Sequence, residues 1–128
     1  AELVVKRGGD VILVTPCPER ISGTPDHVKT INALQGVPSR ALFQKAAEKG
    51  LDDLVAVGVS MIAARINELA WVQVVSEGLT EDDLRMLGHD SARSIESALS
   101  VAMQRQGAGA SIMVITHGGE VYPVVRPA

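Results

Sequence analysis

Apolar residues gather in three short runs, Val11-Ile-Leu-Val14, Trp71-Val-Gln-Val-Val75 and Ile112-Met-Val-Ile115. Each run breaks abruptly into a small polar loop: Thr15-Pro-Cys-Pro-Glu-Arg20, Ser76-Glu-Gly78 and Thr116-His-Gly-Gly119. Short β-branched runs separated by stretches of helical periodicity mark strands buried on both faces of a parallel sheet. Three strands are therefore expected, at 10–15, 71–76 and 112–115. Ligands of such sheets bind in the crevice at the carboxyl ends of the strands, so the three loops are where this chain is expected to present its chemistry.

Helix signals fill the gaps. Thr24-Pro25-Asp26 opens a helix, with Thr24 as N-cap and Pro25 at the first position, and Gly36 ends it. Pro38 introduces a second helix at Ser39, which Gly50 closes. Between Leu51 and Val59 two patterns compete, and the reading adopted is a short helical turn, an irregular crossing and then a helix capped by Ser60 that reaches Leu69. Thr80-Glu-Asp-Asp83 reads as a capping box, with acidic groups against the positive end of a helix ending at Gly88. From Ser94, a last helix sets Ile95, Ala98, Leu99, Ala102 and Met103 on one stripe, the spacing of a helix packed on a sheet. Val121-Tyr-Pro-Val-Val125 reads as a short edge strand, because Pro123 cannot donate to a central ladder. The sum is a three-layer, Rossmann-like α/β domain, a small mainly parallel sheet flanked by helices, with right-handed crossovers.

Composition narrows the classes. The 128 residues suffice for one domain with its own core, and no internal repeat or second boundary is visible. A net charge of −3 leaves no basic footprint for nucleic acid or an anionic membrane surface. No apolar stretch is long enough to span a membrane. The single cysteine, Cys17, cannot form an internal disulfide, so a reducing cytoplasm is expected. Phe43, Trp71 and Tyr122 are the only aromatic residues, so stacking platforms for bases or sugars are scarce. The chain starts at Ala1 and opens on Glu2 to Gly9, which reads as the tail of a helix closed by glycine. That beginning predicts a piece cut from a longer protein, with a processed N-terminus as the alternative.

Candidate chemistry concentrates at the loops. Cys17 follows a strand, where catalytic thiolates occur, but a cysteine-phosphatase loop needs an arginine six residues on, where Gly23 stands. His117 before two glycines could donate to an anion that backbone N–H groups also approach; equally, it is the shoulder of a plain turn. Ser76 offers a hydroxyl at a flexible turn, and Glu19 and Glu77 flank the expected cleft. His27 and His89 show no metal-ligand spacing with Cys17, Glu19 or His117. Gly8-Gly-Asp10 precedes its strand, the wrong side for a dinucleotide fingerprint. The cleft-facing set is thus Cys17, Glu19, Ser76, Glu77, His117 and Gly118, with no catalytic triad, metal cage or phosphate loop.

Several stretches together resemble the C-terminal domain of the nickel-dependent lactate racemase family, whose members use a nickel-pincer nucleotide. They are Val4 to Val14 with the following Pro16-Cys-Pro-Glu19, Val74-Val-Ser-Glu-Gly-Leu79, Ala92-Arg-Ser-Ile-Glu-Ser-Ala-Leu99, and His117-Gly-Gly119 followed by Pro123. The resemblance implies a second domain that completes and closes a cleft over a small 2-hydroxy acid. It implies that nickel, cofactor and paired histidine bases belong to an N-terminal domain of the same protein. None of His27, His89 and His117 is then a base, and no cofactor is expected on this domain alone. A Gln and a Lys that the family's second domain lends to substrate lie on a helix before Val4 to Gly9, and are expected to be missing here. The resemblance puts an aromatic residue that faces the site in the lactate enzyme near Gly58-Val-Ser-Met61, a departure that would enlarge the pocket and leaves a related hydroxy acid, or another reaction, as the expectation in place of lactate. The alternative is a free-standing small-anion-binding or regulatory module using Ser76, His117 and glycine amides; a structural subunit pairing through a sheet edge is a third. An orphan apolar face around Val55–Val59 and Leu3–Val5 would favour a missing partner domain. A closed pocket at the three loops would favour the binding module.

Overall fold

The computed structural model describes residues 2–48 and 52–124. Three parallel strands form one sheet in the order β1-β2-β3: β1 (Asp10–Val14), β2 (Trp71–Val75) and β3 (Asp90–Ser91). In the β1–β2 register Val11 lies opposite Val72 and Leu13 opposite Val74. Five helices accompany them: α1 (Pro25–Ala33), α2 (Ser39–Ala47), α3 (Leu54–Asn67), α4 (Glu81–Leu87) and α5 (Ile95–Gln106).

Side-chain alternation along β2 sorts the layers. Val72 and Val74 point to one face and join Ile66, Ala70 and Leu84 in a core cluster under α3 and α4. Gln73 points to the other face, where its amide donates to the Ala98 carbonyl of α5 over 3.1 Å. A buried amide needs such a partner, and α5 supplies it. α1 and α2 pack on α3 and bury Leu34, Leu42 and Val57. The result is α5, sheet, then α3 with α4, the three-layer α/β arrangement expected from the pattern.

Capping signals hold closely. Thr80 and Asp83 form the reciprocal capping box of α4, Gly88 ends it at φ +71°, and Ser94 with Ser97 caps α5. On the α5 stripe, Ala98 and Ala102 are buried and Ile95 is exposed.

Four expectations are corrected. The run 112–115 forms no strand; the third place in the sheet belongs to β3, whose Asp and Ser carry no strand propensity and pair only because α4 delivers them beside β2. Residues 121–124 likewise join no ladder, and Val125 lies outside the described residues. Ser60 does not cap a helix: α3 is continuous from Leu54, capped by Asp53, whose carboxylate accepts from the Ala56 N–H, and Ser60 is buried mid-helix. The β-branched valines around Gly58 read as extended, but only a helix buries Ala56, Val57 and Ala63 together, and packing overrides propensity. Residues 2–8 form turns instead of a helix tail, with Gly8 at φ +76° donating its N–H to Leu69. The expected closure of α2 at Gly50, like Leu51, lies outside the described residues. Among the described residues, no helix is long and apolar enough to cross a membrane.

Candidate functional site

The carboxyl ends of β1 and β2 are sewn into one rigid edge. The Thr15 N–H extends the ladder to the Val75 carbonyl at 3.1 Å. One residue on, the Pro16 carbonyl accepts from the Ser76 hydroxyl (3.1 Å) and the Gly78 N–H (3.0 Å). Ser76 Oγ in turn accepts from the Gly78 and Leu79 N–H groups, so the serine organises both loops. Gly78 is sterically required: a Cβ there would stand 1.9 Å from the Cys17 carbonyl oxygen and 2.6 Å from that of Pro16.

Beyond Pro16 the backbone is strained. Cys17 (φ 39°) and Arg20 (φ 63°) both occupy the left-handed region without being glycine. The Arg20 N–H donates to the Cys17 carbonyl at 2.9 Å, and its side chain crosses to α4. There Nε and Nη2 grip the two oxygens of Asp83 at 2.9 and 3.0 Å, and Nη2 also donates to Thr80 Oγ1. Only 3% of the Asp83 side chain is exposed. Burial raises its carboxyl, but the Thr80 N–H and hydroxyl and the Arg20 guanidinium outweigh that and hold it below the ordinary aspartate value. A second link runs sideways: Ser22 Oγ lies 3.3 Å from His27 Nδ1, and His27 Nε2 lies 3.7 Å from the α3 cap Asp53.

Of the residues singled out in the sequence, Cys17, Glu19, Ser76 and Glu77 stand on this edge. Cys17 is half-buried, with its Sγ 3.3 Å from the Thr15 hydroxyl, while Glu19 and Glu77 are exposed. A hydroxyl cannot act as the base an activated thiol requires. His117 and Gly118 stand elsewhere, on an exposed turn closed by the Glu120 N–H donating to the His117 carbonyl. His117 also adopts a left-handed φ of 57°. Sequence reading missed Arg20 and the His27–Asp53 contact. The Thr80–Asp83 box was legible, but its arginine lies 63 residues before Asp83 and nothing local announces it.

Elsewhere, His89 sits against Asn67, 3.1 Å from its Oδ1, and burial lowers its pKa below the usual histidine value despite Gly88 and Asp90. Two clefts of about 350 and 340 Å³ lie away from the loops, one between α1 and α4, the other bordered by Val37, Ala64 and Leu87. Among the described residues no group of three or more His, Cys, Asp or Glu side chains is placed to hold a metal ion.

A family model described as lactate racemase C-terminal domain matches residues 1–122. The chain belongs to that family. The structure of the lactate racemase apoprotein from Thermoanaerobacterium thermosaccharolyticum has the same fold, with a TM-score of 0.62 at 19% identity. That likeness covers 84% of this chain and 25% of the other, so the chain matches about a quarter of that protein's length. No curated protein matches the sequence. The stretch 58–61 of this lactate racemase C-terminal domain holds no aromatic side chain. It carries Gly58, Val59, buried Ser60 and half-buried Met61 on α3, where a Cβ added at Gly58 would meet no atom within 4 Å.

Proposed function

We propose that this domain is the second wall of an active-site cleft in a two-domain, nickel-pincer-dependent racemase or epimerase of small 2-hydroxy acids. In this reading, it closes over substrate and is inactive alone. The family match over residues 1–122 carries the reading. The surface supports it: Val55, Val59 and Ile62 form an i, i+4, i+7 stripe on α3 that is 62%, 37% and 67% exposed. Leu54 and Leu3 are also exposed, and Glu2 pairs with Arg65 one turn further along the same helix. Apolar surface of this kind marks a missing partner, here the N-terminal domain of the same protein. α3 precedes β2 and runs against it, so its Leu54–Val55 end lies at the same sheet edge as Cys17 and Ser76.

In this reading the N-terminal domain would hold the nickel-pincer nucleotide, which would supply hydride chemistry at the substrate's hydroxyl-bearing carbon. This chain's share is shape and exclusion of water while the reactive keto compound exists. Glu19 and Glu77 repel the substrate's carboxylate from this wall, so its uncharged end packs here, against the loops of Cys17 and Ser76. His117 and Gly118, on their separate exposed turn, face the cleft only if the partner domain reaches them. The space at Gly58 suits a side group larger than that of lactate. A soluble cytoplasmic setting fits the lone cysteine.

The test is racemisation of a panel of 2-hydroxy acids by the two-domain protein and by this domain alone. The two-domain protein is expected to be active and the domain silent. Racemisation by the isolated domain, without added protein, would sink the proposal. Val55→Asp with Ile62→Asp is expected to leave this domain folded and to weaken its docking in the two-domain protein.

A further inference from the structure

The cleft bordered by Val37, Ala64 and Leu87 has an unusual floor. It is one face of α3, where Ser60, Ala63, Ala64 and Asn67 recur at i, i+3, i+4 and i+7. The Leu34–Pro38 turn between α1 and α2 forms one wall, and the carboxyl end of α4, Met86 to Gly88, forms the other. Ser60 is only 7% exposed, and its Oγ has no hydrogen-bond partner among the described residues. A helical serine ordinarily returns its hydroxyl to a carbonyl one turn back. Without that bond, a buried hydroxyl carries an uncompensated desolvation penalty. Such groups are rare in folded proteins and call for a reason.

The walls are braced apart. Helices ordinarily pack to close density over apolar surface. Here polar struts fix their spacing: Gln35 Nε2 donates to the Arg85 carbonyl at 2.9 Å, and Asn67 Nδ2 to the Leu87 carbonyl at 2.7 Å. On the α2 side, the Glu68 carboxylate accepts from the Ser39 N–H at 2.8 Å and from its hydroxyl at 2.9 Å. His89 Nδ1 steadies Asn67 from beyond, 3.1 Å from its Oδ1. Gly88 permits the close approach, because a Cβ there would stand 2.7 Å from Asn67 Nδ2. About 340 Å³ is left between the struts, room for a small organic molecule.

The lining selects the occupant. Leu34, Val37, Ala63, Met86 and Leu87 present hydrocarbon, and Ser60 presents one hydroxyl that can donate or accept. Glu68 is the only ionisable group among the lining residues, and its bonds from Ser39 keep it an anion at neutral pH. That charge repels an anionic ligand, and a cationic one finds both carboxylate oxygens already committed to Ser39. We propose that this cleft binds a small uncharged molecule with an apolar body and one hydroxyl or carbonyl group, which pairs with Ser60 Oγ. The site is separate from the Cys17–Ser76 edge. Thr80, at that edge, and Leu87, at the cleft, stand at opposite ends of α4, roughly 10 Å apart at the helical rise per residue. A 2-hydroxy acid carries a carboxylate and does not fit the lining, so the site stands whether or not the proposed reaction holds.

Titration of the isotope-labelled chain with cyclohexanol, followed by NMR, tests the site without any activity measurement. The Val37, Ser60, Ala64 and Gly88 amides are expected to shift saturably, while those of Thr15, Cys17 and Ser76 stay in place. Cyclohexanecarboxylate, the same ring with a charged head, is expected to bind at least about 10-fold more weakly. Ser60→Ala is expected to weaken cyclohexanol binding roughly 5-fold through the lost hydrogen bond. The same variant should keep or raise the thermal midpoint, because it removes a polar group that the fold leaves unpaired. Absence of saturable shifts at the cleft, the result if water alone meets Ser60, overturns the proposal. So does equal binding of the carboxylate, or undiminished binding of cyclohexanol to Ser60→Ala. A clear loss of stability in Ser60→Ala also overturns it, by showing that the hydroxyl is already paired within the fold.

Discussion

The edge formed by residues 15–23 and 76–83 and the turn at 116–120 are made of similar material, small and polar residues after an apolar run. They are held very differently. At the first, one serine hydroxyl, one carbonyl, one glycine and a buried aspartate tie two loops into a single object, and two non-glycine residues are kept in left-handed backbone. At the second, His117 is left-handed too, but one backbone hydrogen bond closes the turn and both glycines have open space around them. The two differ in how far their neighbours over-determine the backbone. The first edge has those neighbours because β1 and β2 are paired, and the second lacks them because its strand is not.

Glycine substitutions should break this contrast most sharply. Gly78→Ala drives a methyl group into two backbone carbonyls and should cost about 2–4 kcal/mol by thermal or urea denaturation. Gly118→Ala meets nothing and should stay within about 0.5 kcal/mol. Equal effects at the two positions would contradict the difference described.

Next in size is the Asp83 network. Asp83→Ala removes the N3 half of the α4 capping box and the grip on Arg20, and should destabilise by about 1–3 kcal/mol. Its depressed pKa gives a definite pH dependence. The folded state holds the charged form more strongly than the unfolded state, so the stabilisation is complete above the ordinary aspartate range near pH 4. It is lost as pH falls below that. Asp83→Asn should therefore flatten the acid limb of a stability–pH curve. Glu68 keeps part of that limb, because the Ser39 N–H and hydroxyl lower its carboxyl too.

Ser76→Ala probes the same edge more gently. It removes one donor to Pro16 and one acceptor for Gly78 and Leu79, with an expected loss of about 1 kcal/mol. Thr116→Ala, on the exposed turn, should be close to neutral in the same denaturation assay.

The smallest effect concerns His89. Burial lowers its pKa in the fold, whereas the unfolded chain protonates it near pH 6.5. Stability should be full above that pH and decline as pH falls below it, and His89→Gln should remove the decline. Proton NMR of the imidazole gives an independent check, with a titration midpoint below the usual histidine value.

Much of this architecture was legible from local chemistry. β1 and β2 are short β-branched runs, α4 announces itself through a capping box and a glycine and α5 through an apolar stripe, and each signal involves residues within a few positions of one another. Where the signal was local but the partner remote, reading failed. The Val55–Val59 stretch looks extended until α1 and α2 supply the cavity that Val57 fills. Asp90–Ser91 looks like loop until β2 offers it a ladder.

By itself, the sequence determined the α/β class, the alternation of the first two strands with helices, the starts of α1, α2, α4 and α5 and the family, because periodicity, caps and turn residues act over a single turn or strand. Tertiary structure alone decided which apolar run enters the sheet, which loops touch, and that Arg20 and Asp83 meet across 63 residues. Those outcomes depend on where other elements leave unpaired backbone groups and unfilled volume, and no local stretch of sequence carries that information.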